Sequence, residues 1–155
     1  MTAWIRVTLE TSLRPSDMHK IDWDELKDRN GEVKIVQHKT SYRRLVRVST
    51  DTMEYMKTWH RKHGPLFPRP GSSTIAHTIK RIGVNAGIPW MNHTVLRKTA
   101  ITAVDAVSPG SGWIFAGHRS PATTRRWYTD ADRVAAELPI PKYDAIEAEK
   151  KKKLG

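Results

Sequence analysis

The feature that most restricts the fold is a short β-type region inside a chain that otherwise follows helical spacing. Residues 32–37 (EVKIVQ) and 44–49 (RLVRVS) contain many β-branched residues and partly alternate between apolar and polar side chains, which predicts two strands. Asn30-Gly31 is typical of a tight turn, and the intervening HKTSYR predicts a second turn. With residues 21–26 (IDWDEL) as a further strand, the region 22–49 predicts a three-stranded antiparallel sheet.

Helical spacing predominates in the rest of the chain. Ile5 and Leu9, for example, lie four residues apart and share one face of a predicted helix. Pro15 is typical of a first helical turn, and Pro109-Gly110 predicts a helix end. The predicted helices cover residues 2–11, 15–21, 51–62, 73–86, 93–107, 112–116, 121–129 and 130–138. The sequence therefore predicts an α+β domain that is mainly α and has one small sheet.

The charge of the chain points to a polyanionic partner. Its 155 residues include 27 Lys and Arg against 16 Asp and Glu, which gives a net charge of +11. Only four of these cations stand in the lysine run at residues 150–153, so most of the excess lies in the body of the chain. Such an excess is typical of proteins that bind nucleic acid, although a basic protein without such a partner stays an alternative.

The composition also bears on the class of protein. The chain has no cysteine, so neither a disulfide framework nor a cysteine zinc site is possible. The chain contains no run of about 18 apolar residues, so no membrane span is predicted. The first residues do not have the pattern of a secretory signal. These features predict a cytoplasmic protein that has no membrane partner.

Six scattered residues have the chemistry that metal-independent cleavage of a phosphodiester requires. The reaction needs a nucleophile, cations that neutralise the charge of the pentacoordinate phosphorane, and an acid for the leaving oxygen. Arginine suits the second task because its planar fork binds two phosphate oxygens at once. No cluster of carboxylates resembles a magnesium site, which disfavours a metal-dependent nuclease. The six residues are Arg14, Lys39, His93, Arg97, His118 and Tyr128.

Four segments that contain these residues resemble the sequence boxes of the tyrosine recombinase family, the phage integrases and their relatives. TSLRPSDM resembles the first box, Gly-x-Arg-x-x-Glu, with Arg14 as its arginine and Asp17 in the acidic position. HKTSYRR resembles the hairpin segment that carries a lysine. AGIPWMNHTVLRKTAIT resembles the second box, and FAGHRSPATTRRWY resembles the third box with its nucleophilic tyrosine. Each box alone is a weak signal, but the four occur in the family's order over residues 5–130.

The sequence departs from the family pattern at three places. Ser12 stands where the family has glycine, and Ala116 stands where it has leucine. The histidine of the second box usually lies three residues before the arginine, whereas His93 lies four residues before Arg97 and Thr94 occupies the usual place. Residues three and four apart share a helix face, so either His93 or Thr94 can take this position. We expect His93 to face the phosphate, because imidazole is the better phosphate partner.

The resemblance implies both a fold and a reaction. The fold is that of a tyrosine recombinase catalytic domain, and the reaction is site-specific cleavage and rejoining of DNA during recombination or integration of a mobile genetic element. Tyr128 is implied as the nucleophile that forms a 3′-phosphotyrosine link. Arg14 and Arg97 are implied to hold the non-bridging phosphate oxygens. Because the covalent link conserves the phosphodiester energy, no cofactor is expected, and no metal.

The same resemblance assigns the remaining groups. Lys39 is implied as the acid that protonates the leaving 5′-oxygen. His118, together with His93, is implied to bind the phosphate or to shuttle a proton at the tyrosine. Arg125 and Arg126 are expected to contact the DNA backbone.

The resemblance further implies how the domain is organised and assembled. Residues 1–142 would form the catalytic domain, and residues 143–155 a polar, lysine-rich C-terminal tail. The N-terminal DNA-binding domain that the family normally carries would be absent from this fragment, which would weaken DNA binding. The implied partners are double-stranded DNA and further copies of the chain, in a homo-tetramer that often exchanges a C-terminal segment, here within residues 131–155.

Three other classes stay open on the sequence alone. A type IB topoisomerase shares the chemistry and would relax supercoils without strand exchange. A non-catalytic basic DNA-binding module would keep its affinity without Tyr128 and would form no covalent adduct. An RNA-binding protein is disfavoured, because the predicted sheet carries no aromatic RNA-binding motif.

Overall fold

The computed structural model describes residues 1–58, 60, 63–67 and 72–123 of the chain. Seven helices and two strands lie in these ranges. No helix among them is both long enough and apolar enough to cross a membrane. The elements are α1 (Thr2–Thr11), α2 (Pro15–Met18), α3 (Trp23–Asp28), β1 (Glu32–Val36), β2 (Arg43–Arg47), α4 (Thr50–Lys57), α5 (Ser72–Asn85), α6 (His93–Val107) and α7 (Gly112–Ala116).

The helices that the spacing predicts are largely present. Helices α1, α6 and α7 have the predicted bounds, and α5 begins and ends one residue earlier than predicted. Helix α2 ends at Met18 instead of residue 21, and α4 ends at Lys57 instead of residue 62. The predicted helix at 121–129 is described only as far as residue 123, and the one at 130–138 lies outside the described residues.

The sheet in the described part of the chain has two strands, so the predicted third strand at residues 21–26 is wrong. Helix α3 takes its place because Asp22 caps it. The Asp22 Oδ1 accepts hydrogen bonds from the backbone N of Asp24 and of Glu25 at 2.9 and 3.1 Å. These two acidic residues also lie in the first turn, where negative charge favours a helix, and Lys27 lies in the last turn. Capping and end charges therefore outweigh the partial alternation of IDWDEL.

Strands β1 and β2 form the predicted antiparallel hairpin, in which Glu32 lies opposite Arg47. Successive side chains point to opposite faces of a strand, so each strand presents one face to the core. Gly31 closes the turn before β1 with φ +87°, and a Cβ there would overlap the Val48 carbonyl oxygen, so this turn requires glycine. The buried face of the hairpin carries Val33, Ile35, Arg44 and Val46.

One hydrophobic core joins the hairpin to the helices. Helix α1 packs against α6 and α4, and α6 also packs against α7. Burial of each large apolar side chain stabilises the fold by about 1.5–3 kcal/mol. The core therefore fixes the segments that carry the site: the loop after α1, the hairpin, the start of α6 and the end of α7. Its fully buried side chains include Leu13, Ile21, Leu26, Ile35, Met56, Leu66 and Ile79.

Candidate active site

Arg14 lies at the start of α2, on a tight connection from α1. Ser12 ends α1 in the left-handed conformation with φ 51°, and its hydroxyl donates a hydrogen bond to the Phe115 carbonyl oxygen at 3.2 Å. Glycine adopts this conformation most readily, and serine gains a link to α7 in its place. Leu13 is fully buried, which anchors the loop beside Arg14. The Arg14 Nη1 is buried and has no hydrogen-bond partner among the described residues.

His118 follows α7 and is only 3% exposed. Burial, and then the charges of Arg97, Arg14 and Arg44, lower the pKa of His118 from 6.5 to about 4. The imidazole is therefore neutral at pH 7. Three guanidinium groups lie close enough to act on it, although they come from three separate parts of the sequence.

The turn between α7 and His118 packs directly on the hairpin. Gly117 has φ +65°, and a Cβ at this position would overlap the Gln37 Nε2 and lie 2.9 Å from the Arg44 Cδ. The Gln37 side chain in turn donates a hydrogen bond to the Ala116 carbonyl oxygen at 3.2 Å. Both the positive φ and the close approach require glycine, so the Gly-His pair of the third box has a structural reason.

Arg97 lies near the start of α6 and is 3% exposed. The side chain of Asn92 caps this helix and so fixes where it begins. After the effect of burial, the charge of Arg97 contributes to the lowered pKa of His118, of His93 and of Arg44. Arg97 is therefore the charge that all three perturbed groups of the site share.

Arg44 also belongs to this cluster, although it is not among the six residues predicted from the sequence. It lies in β2 and is 9% exposed. Its Nη2 donates hydrogen bonds to the carbonyl oxygen of Thr11, at 2.6 Å, and to that of Phe115. Its Nη1 is buried and has no hydrogen-bond partner among the described residues.

A signal for Arg44 was present in the sequence. Arg44 and Val46 are two residues apart and share the inward face of β2, so the alternation already predicts a buried cation. Burial, and then the charges of Arg97 and Arg14, lower the pKa of Arg44 from 12.5 to about 10. Arg44 is therefore charged at neutral pH, and the site holds three buried or half-buried guanidinium groups.

The two ring nitrogens of His93 are both used inside the protein. The Trp4 indole N–H donates to His93 Nδ1 at 3.3 Å, and His93 Nε2 then donates to the Leu13 carbonyl oxygen at 2.8 Å. Burial lowers the pKa of His93 to about 4; the Leu13 hydrogen bond opposes this and the Arg97 charge adds to it. In this arrangement both ring nitrogens of His93 bond within the protein and brace the loop before Arg14, and the expected contact of His93 with the phosphate stays a prediction. Thr94, the alternative, is exposed.

Lys39 is exposed at the tip of the hairpin. The backbone N of His38 donates to the Asp17 Oδ1 at 2.7 Å, which ties the tip to α2. Arg119 Nη2 donates to the Thr40 carbonyl oxygen at 2.7 Å, which ties the other side of the tip to the segment after His118. The hairpin that carries Lys39 is therefore fastened to both neighbouring parts of the site.

Three residues of the expected site lie outside the described part of the chain: Arg125, Arg126 and Tyr128. Within the described part, Arg14, Arg97 and His118 lie together, as the electrostatic effects on His118 show. Lys39 lies on the adjoining hairpin. The fold thus assembles residues that are separated by more than a hundred positions.

Such a cluster suits an anion that carries its charge on several oxygens. Arg14, Arg44 and Arg97 supply three cations, and Asp17 supplies one fully buried carboxylate, so these four groups together are positive. Buried guanidinium groups act strongly on a phosphate because little water screens them. Among the residues that the structure describes, no group of three His, Asp or Glu side chains is placed to hold a metal ion.

The fold and this arginine–histidine cluster together indicate the class of the tyrosine recombinase catalytic domains. A comparison with protein families bears this out: the model of the "Phage integrase family" matches residues 1–134, so the chain belongs to this family. The matched range includes the sequence positions of all six predicted catalytic residues. A search of curated proteins found no match.

Among solved structures, one described as "Crystal structure of XerA recombinase" has the same fold. Its TM-score is 0.70 at 21% sequence identity, and the match covers 87% of this chain. It covers 55% of the XerA chain, so the present chain spans about half the length of that protein. The likeness confirms a mainly helical tyrosine recombinase fold with a small antiparallel sheet, here of two strands.

Proposed function

We propose that this chain is the catalytic domain of a site-specific DNA recombinase that cleaves and rejoins DNA through a 3′-phosphotyrosine intermediate. The observation that carries the proposal is the cluster of Arg14, Arg44 and Arg97 around a neutral His118. A phosphodiester has the charge and the oxygen geometry that this cluster favours. Membership of the phage integrase family and the net charge of +11, which favours a polyanionic partner, support DNA as the substrate.

In the proposed cleavage step, the Tyr128 oxygen attacks the scissile phosphorus while the bond to the 5′-oxygen breaks. The phenol proton passes to His118, which is neutral at pH 7 because of its lowered pKa. Lys39 gives a proton to the leaving 5′-oxygen, so a free 5′-hydroxyl is released. Rejoining is the reverse: a 5′-hydroxyl attacks the phosphotyrosine, and the protons return.

The arginines supply the stabilisation of the transition state. The non-bridging oxygens gain negative charge as the fifth bond forms, and Arg14 and Arg97 are proposed to bind them. Loss of one such donor in comparable sites costs about 100- to 1000-fold in rate. His93 is proposed to act indirectly: its hydrogen bond to the Leu13 carbonyl holds the backbone that presents Arg14.

The proposed assembly follows from the stoichiometry of the reaction. One Tyr128 cleaves one strand, and full exchange between two duplexes requires four cleavages, so four copies are proposed to act together. Residues 1–142 are proposed as the catalytic domain, and residues 143–155 as its tail. We also propose that the protein acts on DNA inside the cell, and that Arg125 and Arg126 contact the DNA backbone.

Covalent trapping tests the proposed function. The substrate is a pool of duplexes that carry a nick within a randomised sequence. Cleavage close to the nick releases a short fragment, and the loss of this fragment prevents rejoining. The wild-type chain is expected to form a protein–DNA adduct that survives a denaturing gel. Tyr128→Phe, which removes only one hydroxyl, is expected to bind the pool without forming an adduct, and Tyr55→Phe is the matched control that keeps the adduct.

Two results would contradict the proposal. If the wild-type chain binds the pool but forms no adduct, the chain is a binding module. If the adduct persists in Tyr128→Phe, another residue is the nucleophile. Relaxation of supercoiled DNA without any strand exchange would instead favour the topoisomerase alternative.

A further inference from the structure

Arg44 connects the two segments that carry the phosphate-binding groups. The same Nη2 donates to the Thr11 carbonyl, at the end of α1, and to the Phe115 carbonyl, near the end of α7. The first carbonyl lies three residues before Arg14, and the second lies three residues before His118. One guanidinium thus joins the Arg14 loop to the His118 turn.

Neighbouring contacts show that this junction is close-packed. The Ser12 hydroxyl donates to the same Phe115 carbonyl at 3.2 Å, and the Arg44 guanidinium carbon lies 5.8 Å from the centre of the Phe115 ring. A Cβ on Gly117 would come within 2.9 Å of the Arg44 Cδ. A shift of Arg44 would therefore move the segments that it joins.

We propose that Arg44 is a positioning residue for DNA cleavage: its buried guanidinium sets the spacing between the Arg14 loop and the His118 turn, and its positive charge acts on His118. This inference rests on the proposed function. This role differs from those proposed for Arg14 and Arg97, because the hydrogen bonds that Arg44 donates within the described residues go to backbone carbonyls. Arg44 acts on the reaction through Arg14 and His118.

The charge of Arg44 provides a readout that a purely structural role would not change. His118 faces three cations: Arg14 from the loop before α2, Arg44 from β2 and Arg97 from α6. Removal of the Arg44 charge should raise the pKa of His118 toward its ordinary value. Burial and the other two arginines persist, so the rise should be partial.

The experiment compares Arg44→Met with Arg47→Met. Arg47 lies on the same strand but on its exposed face, so this control removes an equal charge without touching the site. The pKa of His118 is followed by NMR, and His118→Gln identifies its signal among the seven histidines. Cleavage is followed as the rate of adduct formation on the nicked duplex pool, and circular dichroism reports whether each variant is folded.

We expect Arg44→Met to raise the pKa of His118 and to slow adduct formation by up to about 100-fold, which is the cost of a misplacement near 1 Å. Arg47→Met should change neither quantity. An unchanged pKa of His118, or adduct formation within about twofold of the wild-type rate, would overturn the inference while the proposed function stands. If the wild-type chain itself forms no adduct, the proposed function fails, and the pKa comparison still tests the Arg44–His118 link.

Arg44→Lys covers the case in which Arg44→Met does not fold. Lysine keeps the charge but lacks the planar fork of arginine, so it cannot reproduce the same geometry at both carbonyls. The pKa of His118 should then stay low while adduct formation slows. Adduct formation at the wild-type rate in Arg44→Lys would overturn the positioning role.

Discussion

Gly117→Ala should damage the site more than any comparable glycine substitution on the surface, because two separate constraints meet at this position. The backbone has φ +65°, and the added Cβ would overlap the Gln37 Nε2 and lie 2.9 Å from the Arg44 Cδ. Gly87→Ala is the matched control. Gly87 has φ +73°, but a Cβ there would have no neighbour within 4 Å.

The two substitutions share one cost and differ in the other. A non-glycine residue in the left-handed conformation costs about 1–2 kcal/mol in the free energy of unfolding. Crowding of a packed region costs a further ~1–3 kcal/mol, which only Gly117→Ala should incur. For a domain of this size each kcal/mol lowers Tm by about 2–4 °C, so Gly87→Ala should lose ~2–8 °C and Gly117→Ala a further ~2–12 °C.

The effect on cleavage should separate the two variants more clearly than the effect on stability. The hairpin or the His118 turn must move to admit the Cβ, and a displacement near 1 Å between catalytic groups costs about 100-fold in rate. Tm is measured by circular dichroism, and cleavage by adduct formation well below the lower Tm. Equal losses of stability and of adduct formation in the two variants would refute the claim that the turn packs tightly on Arg44 and Gln37.

Three further outcomes are expected. His93→Ala should lower the free energy of unfolding by about 1–3 kcal/mol in urea titrations, because it leaves the Leu13 carbonyl and the Trp4 indole unpaired, whereas Thr94→Ala should have little effect; equal effects would refute the bracing role. The pKa values of His93 and His118 lie near 4 in the folded chain and near 6.5 in the unfolded chain. Between about pH 4 and pH 6.5 the unfolded chain therefore binds more protons than the folded chain. Stability should accordingly be greatest above pH 6.5 and should fall as the pH drops toward 4, and a flat profile of urea midpoints over this window would contradict the buried neutral histidines. Log affinity for duplex DNA should fall linearly with log salt with a slope of about 0.9 per phosphate contacted, and salt-independent binding in a filter assay would refute a backbone-binding surface.

The sequence predicts the helices best where spacing and end signals agree. Helix α6 follows from the regular spacing of residues 93–107 and from Pro109-Gly110 behind it, and its bounds are as expected. The third strand fails for a local reason. IDWDEL alternates weakly, but Asp22 can cap a helix and Asp24 and Glu25 favour its first turn, and these hydrogen bonds decide the outcome.

The candidate site is predictable in its residue types but not in its internal contacts. The sequence boxes identify Arg14, Arg97 and His118, because each box assigns one of these residues to a particular helix or turn. Arg44 donates hydrogen bonds to two carbonyls that lie 33 and 71 residues from it in the sequence, and local sequence patterns do not predict contacts at such separations. The bracing role of His93 likewise depends on Trp4 and Leu13, at separations of 89 and 80 residues.

The identity of the DNA-linked residue tests the central claim most directly. The adduct from the nicked duplex pool is digested with nuclease and trypsin, and mass spectrometry locates the nucleotide. Trypsin cuts after Arg126 and Arg133, so the predicted product is the peptide of residues 127–133 with a 3′-linked nucleotide on Tyr128. A nucleotide on Tyr42, Tyr55 or Tyr143, or one linked through its 5′-phosphate, would contradict the proposed mechanism.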